Sequence, residues 1–193
     1  MTLTKKIYLA SKSPRRRELL KQIDIDFENV EIEIDEHWHS EELPHLYVQR
    51  MALEKARMAK NRLNNNSNFI VLAADTAVVL DDKVLGKAEN ETLARDMLMQ
   101  LSGRRHYVYT AIAVVTQSDE QVILNTSNVS FKVLSETEIK DYCNTGEPVG
   151  KAGGYAIQGK AATFIERLEG SYSGVMGLPL YETARLLHKY NQH

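Results

Sequence analysis

Apolar positions along the chain shift several times between a period of two and a helical period, which predicts alternating strands and helices. Ile7-Tyr8-Leu9-Ala10 is a short apolar run that reads as a buried strand. Ser13 and Pro14 then supply an N-cap and a first helical residue, with Leu19, Leu20 and Ile23 on the apolar side of the helix they begin. From Phe27 to Ile34, Ile32 and Ile34 alternate with Glu31 and Glu33, the pattern of a half-buried strand. A long helix is predicted from Pro44 to Leu63, closed by a polar, asparagine-rich run at 64–68. Phe69 to Ala74 is continuously apolar, as in a central strand covered on both faces. Val78-Val79-Leu80 continue it beyond Asp75 and Thr76, and Asp81-Asp82 make a turn.

In the second half, Ala94, Met97, Leu98 and Leu101 define the apolar face of a helix from Thr92 to Leu101, with Gly103 in its C-cap region. Tyr107 to Val115 and Val122 to Val133 read as two long strands joined near Ser118. Ser135 and Glu138 form a capping box for a helix reaching about Asn144. A glycine-rich segment, Gly150 to Gly159, leads to a strand at Thr163-Phe164-Ile165, and a last helix runs from near Pro179 toward Tyr190. Alternating strands and helices, interrupted by two long adjacent strands, predict an α/β fold with a mixed central sheet flanked by helices.

Composition narrows the functional classes. The chain has 193 residues, 43% hydrophobic and 26% charged, as expected of one globular domain or one body with two lobes. A net charge of −2 and an aromatic fraction of 7% argue against a general nucleic-acid binder, while leaving room for a local basic pocket. The single cysteine, Cys143, excludes an internal disulfide and a CxxC metal site. No apolar run approaches the length of a membrane span, and the residues before Ser11 are too few and too polar for a signal sequence. The expected compartment is the cytoplasm.

Several residues break local rules. Arg15, Arg16 and Arg17 occupy the first turn of a helix, where the dipole favours acids. A bound phosphate relieves that conflict through free N–H groups and guanidinium forks. The plainer alternative is solvated arginines, one of them pairing with Glu18. Asp75 interrupts an apolar stretch, as a ligand-binding carboxylate at a strand end would, or as an Asp closing a turn. Lys55 falls among Val48, Met51, Ala52 and Ala59 on the helical apolar stripe, either as a buried functional cation or as a lysine snorkelling from its edge. His37 and His39 are a weak transition-metal pair without a third ligand, so a carboxylate meeting Asp75 around Mg²⁺ or Mn²⁺ is the better metal candidate. Gln158 lies in flexible backbone and can both donate to and accept from a base edge. Ser173 and His106 give no hydrolase triad spacing.

Taken together, Leu9-Ala10-Ser11-Lys12-Ser13-Pro14-Arg15-Arg16, Glu54-Lys55-Ala56, Ala74-Asp75-Thr76, the run Ala152 to Gly159 and Gly177-Leu178-Pro179-Leu180 resemble the Maf family, in order and over nearly the whole chain. The resemblance implies a single domain over residues 1–193, similar in fold to inosine triphosphate pyrophosphatases, with two lobes around a cleft. It implies hydrolysis of nucleoside triphosphates to monophosphate and pyrophosphate with a divalent cation, Mg²⁺ or Mn²⁺. It makes Asp75 the catalytic acid residue and, with Glu36, a metal ligand, and it points to Ser11, Arg15, Arg16, Lys55 and Lys87 as phosphate-handling groups. Whether Asp75 takes a proton, orients water or only binds metal stays open.

Arg15, Thr76 and Gln158 match the branch similar to dTTP/UTP pyrophosphatases, whereas the 7-methyl-GTP branch typically carries Trp, Gln and Glu there. In that branch Thr76 and Gln158 would face the pyrimidine, with CTP and modified pyrimidine nucleotides as further candidate substrates. One departure is Lys87-Ala88, where members commonly have Lys-Pro. The implied partner is a small nucleotide, with no nucleic acid and no membrane, and a homodimer is common in the family. A competing expectation is a nucleotide-binding regulator of septum formation with little turnover.

Overall fold

A computed structural model describes residues 5–39, 41–63 and 68–191. The elements in order are β1 (Lys6–Ala10), α1 (Pro14–Gln22), β2 (Glu28–Val30), α2 (Pro44–Arg62), β3 (Phe69–Leu80), β4 (Lys83–Leu85), α3 (Glu91–Leu101), β5 (Arg105–Val115), β6 (Glu120–Phe131), α4 (Glu136–Cys143), a 3₁₀ turn (Lys160–Phe164), β7 (Ile165–Glu169), α5 (Tyr172–Val175) and α6 (Leu180–Asn191). The strands form one mixed sheet in the order β2-β1-β3-β5-β6-β7, with β4 also on β3. The pairs of β1 with β2 and with β3 are parallel, and the remainder are antiparallel.

β3 organises the molecule. One of its edges is paired with β5 without interruption from Val71 to Val79. Its other edge is shared: β1 covers it up to Ala10↔Ala73, and β4 takes over from Val78↔Leu85. Ala74 to Ala77 therefore have no strand beside them on that side, and the sheet is split there. The strand's own chemistry explains why it survives the split: it is β-branched and apolar on both sides, and its two faces are buried by different partners. On one face Val71, Ala73, Ala77 and Val79 pack against Val48, Met51, Ala52, Ala56 and Ala59 of α2. On the other face Ile70, Leu72 and Ala74 meet Leu19 and Leu20 of α1 and Leu186 and Leu187 of α6. Beyond the split, Val78 and Leu80 join Val108, Val129 and Phe131 under α3, α4 and the glycine-rich segment, forming the second lobe.

Most predicted elements are present, with four differences. The strand expected over Phe27 to Ile34 is only Glu28–Val30, because β1 ends opposite Val30 and offers the later residues nothing to pair with. Ile32 and Ile34 still turn into the α2 cluster from irregular chain. The strand expected at Thr163 begins instead at Ile165, where pairing with Phe131 starts, and the preceding residues coil into a 3₁₀ turn that buries Phe164. Asp75 lies in the middle of a 12-residue strand, not at its end; it is the parallel pairing with β1 that ends just before it. The short elements β4 and α5 have no sequence signal of their own. The capping box of Ser135 and Glu138 is present in full. The polar run at 64–67 lies outside the described residues.

His106 carries a consequence for stability. It is buried between Phe131 and Tyr155, with Nε2 2.8 Å from the Tyr155 hydroxyl and Nδ1 without a protein partner. Burial lowers its pKa from 6.5 to about 4. The unfolded chain therefore binds this proton first as pH falls, so the stability from the neutral ring is complete above about 6.5 and drains toward pH 4. A drop from 6.5 to about 4 corresponds to roughly 3 kcal/mol. Thermal melts between pH 7 and pH 4 should show a steeper fall in Tm for the native chain than for His106→Phe.

Candidate active site

The split in β3 opens a cleft of about 460 Å³. Its wall includes every site residue that the family resemblance implied: Ser11, Arg15, Arg16, Glu36, Lys55, Asp75, Thr76, Lys87 and Gln158. Three cationic or polar groups not singled out also line it: Lys12, Ser13 and Lys151. Lys12, Arg15, Arg16, Lys55, Lys87 and Lys151 outnumber Glu36 and Asp75 by six to two in a chain whose net charge is −2. Positive charge is therefore concentrated in one cavity, the distribution that a polyanion selects.

Successive residues of a strand face opposite sides, and this places Asp75 and Thr76 on different faces of the sheet at the split. Asp75 looks toward α2. There Lys55, 7% exposed, brings its ammonium 2.6 Å from Asp75 Oδ1 and 2.6 Å from Glu36 Oε1. The lysine that broke the apolar stripe of α2 is thus a buried cation between two carboxylates, not a snorkelling one. Glu36 is reached by irregular chain that crosses α2: Tyr47 Oη donates to its backbone carbonyl at 2.8 Å, and Arg50 donates to the His37 carbonyl at 3.2 Å. Lys87 Nζ closes the set from the far lobe at 2.5 Å from Glu36 Oε2. The position of Lys87 does not need the absent proline, because Lys87 pairs with Ala152 in an isolated bridge and Ala88 N donates to the Lys151 carbonyl at 3.0 Å.

The two carboxylates are in different electrostatic states. Burial pushes Asp75 above the usual carboxylate range, against the pull of Lys55 and Arg16 and with the help of nearby Glu36. Burial acts on Glu36 in the same direction, but Lys55 and Lys87 overcome it and hold the group at about 2. Asp75 Oδ1 is engaged by Lys55. Two hard oxygen donors facing one cavity fit a cation of the Mg²⁺ or Mn²⁺ type, which takes one or two carboxylates and completes its shell with water and phosphate oxygens. Among the described residues no group of three or more His, Cys, Asp or Glu could hold a metal, so a closed protein cage is not built here. The rings of His37 and His39 lie edge to face, 5.3 Å apart, outside the cleft wall.

Thr76 looks to the opposite face. Arg16 donates from Nη2 to Thr76 Oγ1 at 3.2 Å and from Nε to the Gly177 carbonyl at 2.8 Å. Burial lowers the pKa of Arg16, while Asp75 and Glu36 counteract the shift. Gly177 is at φ 111°, backbone that favours glycine, although a Cβ there would make only ordinary contacts, 3.4 Å from Arg16 Nε and 3.5 Å from Thr76 Oγ1. The α1 N-terminus behaves as its composition implies, with no side-chain cap and no acid in its first turn. Ser11 Oγ instead accepts from the Ser13 backbone N–H at 3.1 Å. Arg17 turns away to the Lys12 carbonyl and does not line the cleft. Arg15 does pair with Glu18, at 2.6 Å, but it also reaches the cleft. With the amide oxygen of Gln158 turned to the guanidinium, that oxygen accepts from Arg15 Nε at 3.0 Å and Nη2 at 3.1 Å. Arg15 is therefore a clamp on Gln158 as much as a free cation.

Lys151 and Lys12 escaped sequence reasoning because lysines next to glycine or serine in loops break no local rule. Nothing short of the fold brings them to the cavity.

A mixed α/β sheet split beside a carboxylate pair, with six cations around the opening, is an arrangement suited to a polyanion. The family model of Maf-like proteins matches residues 6–190. The dTTP/UTP pyrophosphatase of Methylobacillus flagellatus is 52% identical over 182 residues, covering 94% of this chain and 91% of that protein. The dTTP/UTP pyrophosphatase of Alkalilimnicola ehrlichii is 49% identical over 187 residues, covering 95% and 92%. The structure of the Staphylococcus aureus Ham1 protein aligns with a TM-score of 0.49 at 15% identity, over 66% of this chain and 72% of that one. The chain belongs to the Maf-like protein family.

Removal of the shared ammonium tests the carboxylate pair. Lys55→Met leaves buried Asp75 without its ion-pair partner and Glu36 with Lys87 alone, and loss of one partner from a buried ion pair costs about 3 kcal/mol or more. Urea unfolding at pH 7 should show that loss.

Proposed function

We propose that this protein is a nucleoside triphosphate pyrophosphatase that hydrolyses dTTP and UTP to the monophosphate and pyrophosphate. The observation that carries the reading is the convergence of Lys55, Glu36 and Asp75 with the arginine-bearing start of α1 on one cleft. Names borne by close relatives over more than nine-tenths of the chain support the substrate class. CTP and modified pyrimidine nucleotides are weaker candidates of the same chemistry.

Arg16, Lys87, Lys12 and Lys151, with the free N–H groups of α1, hold the triphosphate and the departing pyrophosphate by charge and hydrogen bonds. Asp75 and Glu36 would hold a divalent cation, which supplies charge neutralisation on phosphate oxygens and lowers the pKa of a bound water. Lys55 keeps both carboxylates aimed at the cleft. Asp75, raised by burial, is better matched to accept a proton near neutral pH than an ordinary aspartate, while Glu36, held at about 2, stays ionised. Water attacks the α-phosphorus, and the bond to the bridging oxygen of the β-phosphate breaks. Thr76 and Gln158 face the pyrimidine. The cytoplasm remains the proposed compartment, and among the described residues no helix is long and apolar enough to cross a membrane.

Asp75→Asn keeps the shape of the side chain and removes its charge and basicity. With Mg²⁺ or Mn²⁺ and UTP, turnover should fall by about a thousandfold or more, as expected when a proton acceptor and ligand are lost together. The assay should score pyrophosphate separately from orthophosphate. Orthophosphate alone would exclude cleavage between the α- and β-phosphates, and stoichiometric binding of UTP without product would favour a nucleotide-binding regulator.

The Lys87 side chain is 62% exposed, and its ion-pair partner is Glu36. Lys87→Ala should therefore act mainly on binding, raising KM for UTP by about tenfold with a smaller effect on kcat, in steady-state assays.

A further inference from the structure

A polar seam crosses the sheet between two of its apolar clusters, on the face that Thr76 shares. Ala74, Ile112 and Ile123 form a row in the cluster under α1 and α6, and Val78 and Val108 form a row in the far lobe. Thr76, Thr110 and Asn125 lie between these rows, each opposite the next, and Ser127 stands one row further, opposite Val108. The loop that carries α5 lies flat on the seam. A Cβ at Gly174 would come 2.5 Å from Asn125 Oδ1, and one at Gly170 2.6 Å from Ser127 Oγ. Ser127 is fully buried, and a polar group in such a place needs its hydrogen bonds made.

Hydrogen bonds give the seam a direction. Glu182, in the first turn of α6, presents a carboxylate, which owns no hydrogen. Asn125 Nδ2 donates to Glu182 Oε1 at 2.7 Å, so the amide turns its oxygen the other way, toward Ser127. Ser127 Oγ donates to Asn125 Oδ1 at 3.2 Å, with the Ser171 carbonyl more distant at 3.4 Å. The same oxygen accepts from the Ser171 N–H at 3.0 Å. Ser171 Oγ in turn caps α5, accepting from the Gly174 N–H at 3.0 Å. Beyond the cap, the Gly177 and Leu178 N–H groups donate back to the Gly174 and Ser173 carbonyls, each at 2.9 Å. The loop is thus bonded to itself. Its seat on the seam sets the place of the Gly177 carbonyl, which accepts from Arg16 Nε.

We propose that Glu182 and Asn125 are positioning residues for nucleotide binding, which through Ser127 and Ser171 seat the α5 loop and so aim Arg16 into the cleft. None of the four lines the cleft, whose wall takes Val175, Met176 and Gly177 from this loop. The proposal rests on the reading of the cleft as a nucleoside triphosphate site and adds a device outside it that sets affinity. An exchange of the two end groups preserves the device. With Asn125→Asp and Glu182→Gln together, the carboxylate still accepts from Ser127 and now also accepts from the amide, so every bond beyond Ser127 keeps its direction.

UTP dissociation constants by calorimetry without metal, and kcat and KM with Mg²⁺, test it in the native chain, Asn125→Asp, Glu182→Gln, the double variant and Ser127→Ala. Asn125→Asp sets two carboxylates face to face. It should raise the dissociation constant and KM about tenfold, the scale of one hydrogen bond to a charged group. The effect on kcat should be smaller, since Arg16 is displaced and not removed. Glu182→Gln lets the Asn125 amide turn over and should weaken binding by a smaller factor. Adding Glu182→Gln to Asn125→Asp should bring affinity back to within about twofold of native, although each change alone weakens it. A merely structural role would lower Tm and the fraction of active protein, with an unchanged dissociation constant and KM. If Asn125→Asp does not fold, Ser127→Ala breaks the chain of bonds without adding charge and should also raise the dissociation constant. An unchanged constant in folded Asn125→Asp or in Ser127→Ala, or a double variant no better than Asn125→Asp, overturns the proposal. UTP binding without turnover overturns the pyrophosphatase reading and leaves the comparison of affinities decisive. A native chain that binds no nucleoside triphosphate overturns both.

Discussion

One ammonium group between two carboxylates holds the candidate site together. Lys55 is almost wholly buried, and a lone lysine in such surroundings would be expelled or neutralised. Asp75, equally buried, faces the same difficulty. Each makes the other tolerable, and Glu36 supplies the second negative charge that binds an irregular segment to the sheet. The arrangement is electrostatically asymmetric: the acid deeper in the protein is pushed up and the acid nearer solvent is held down. Two carboxylates in one cavity therefore stand in different electrostatic surroundings.

That cluster exists because the sheet is incomplete on one edge of β3. Where β1 stops and β4 has not begun, the strand has no neighbour, and side chains from both faces reach a common opening. Asp75, Lys55 and Glu36 come through from the α2 side, and Arg16 reaches the opening from the side of Thr76, Val78 and Val108. A parallel sheet places ligands beyond the ends of its strands. Here the same rule applies to half of a strand, since only the pairing with β1 is parallel and only that pairing ends.

The far lobe has two tasks. It carries Lys87, Lys151 and Gln158 to the opening, and its packing and hydrogen bonds hold the segment that bears them. Gly153, at φ 65°, lies so close to Val78 that a Cβ would come within 2.8 Å of that side chain. Glu147 ties the segment down from the other side, accepting from the Tyr142 hydroxyl and the Lys160 backbone N–H. His106 and Tyr155 brace it from beneath. Flexibility of composition in this glycine-rich run is thus converted by packing into a defined wall.

Much of this was legible in the chain itself. Periodicity marked the long helices and strands, and the capping box at Ser135 marked α4, because these signals are local. Three arginines against a helix dipole, an aspartate in an apolar run and a lysine in an apolar stripe were each visible as local conflicts. A residue that raises the local energy advertises a distant partner. Tertiary structure alone decided what local rules cannot register. It cut β2 short where β1 ended, moved Asp75 from a strand end to mid-strand, turned Arg15 toward Gln158, and brought Lys12 and Lys151 to the site. Lys12 and Lys151 raise no local conflict where they stand in sequence. Their meaning lies in pairing register and in contacts between positions far apart along the chain, and those are settled only when the sheet has formed.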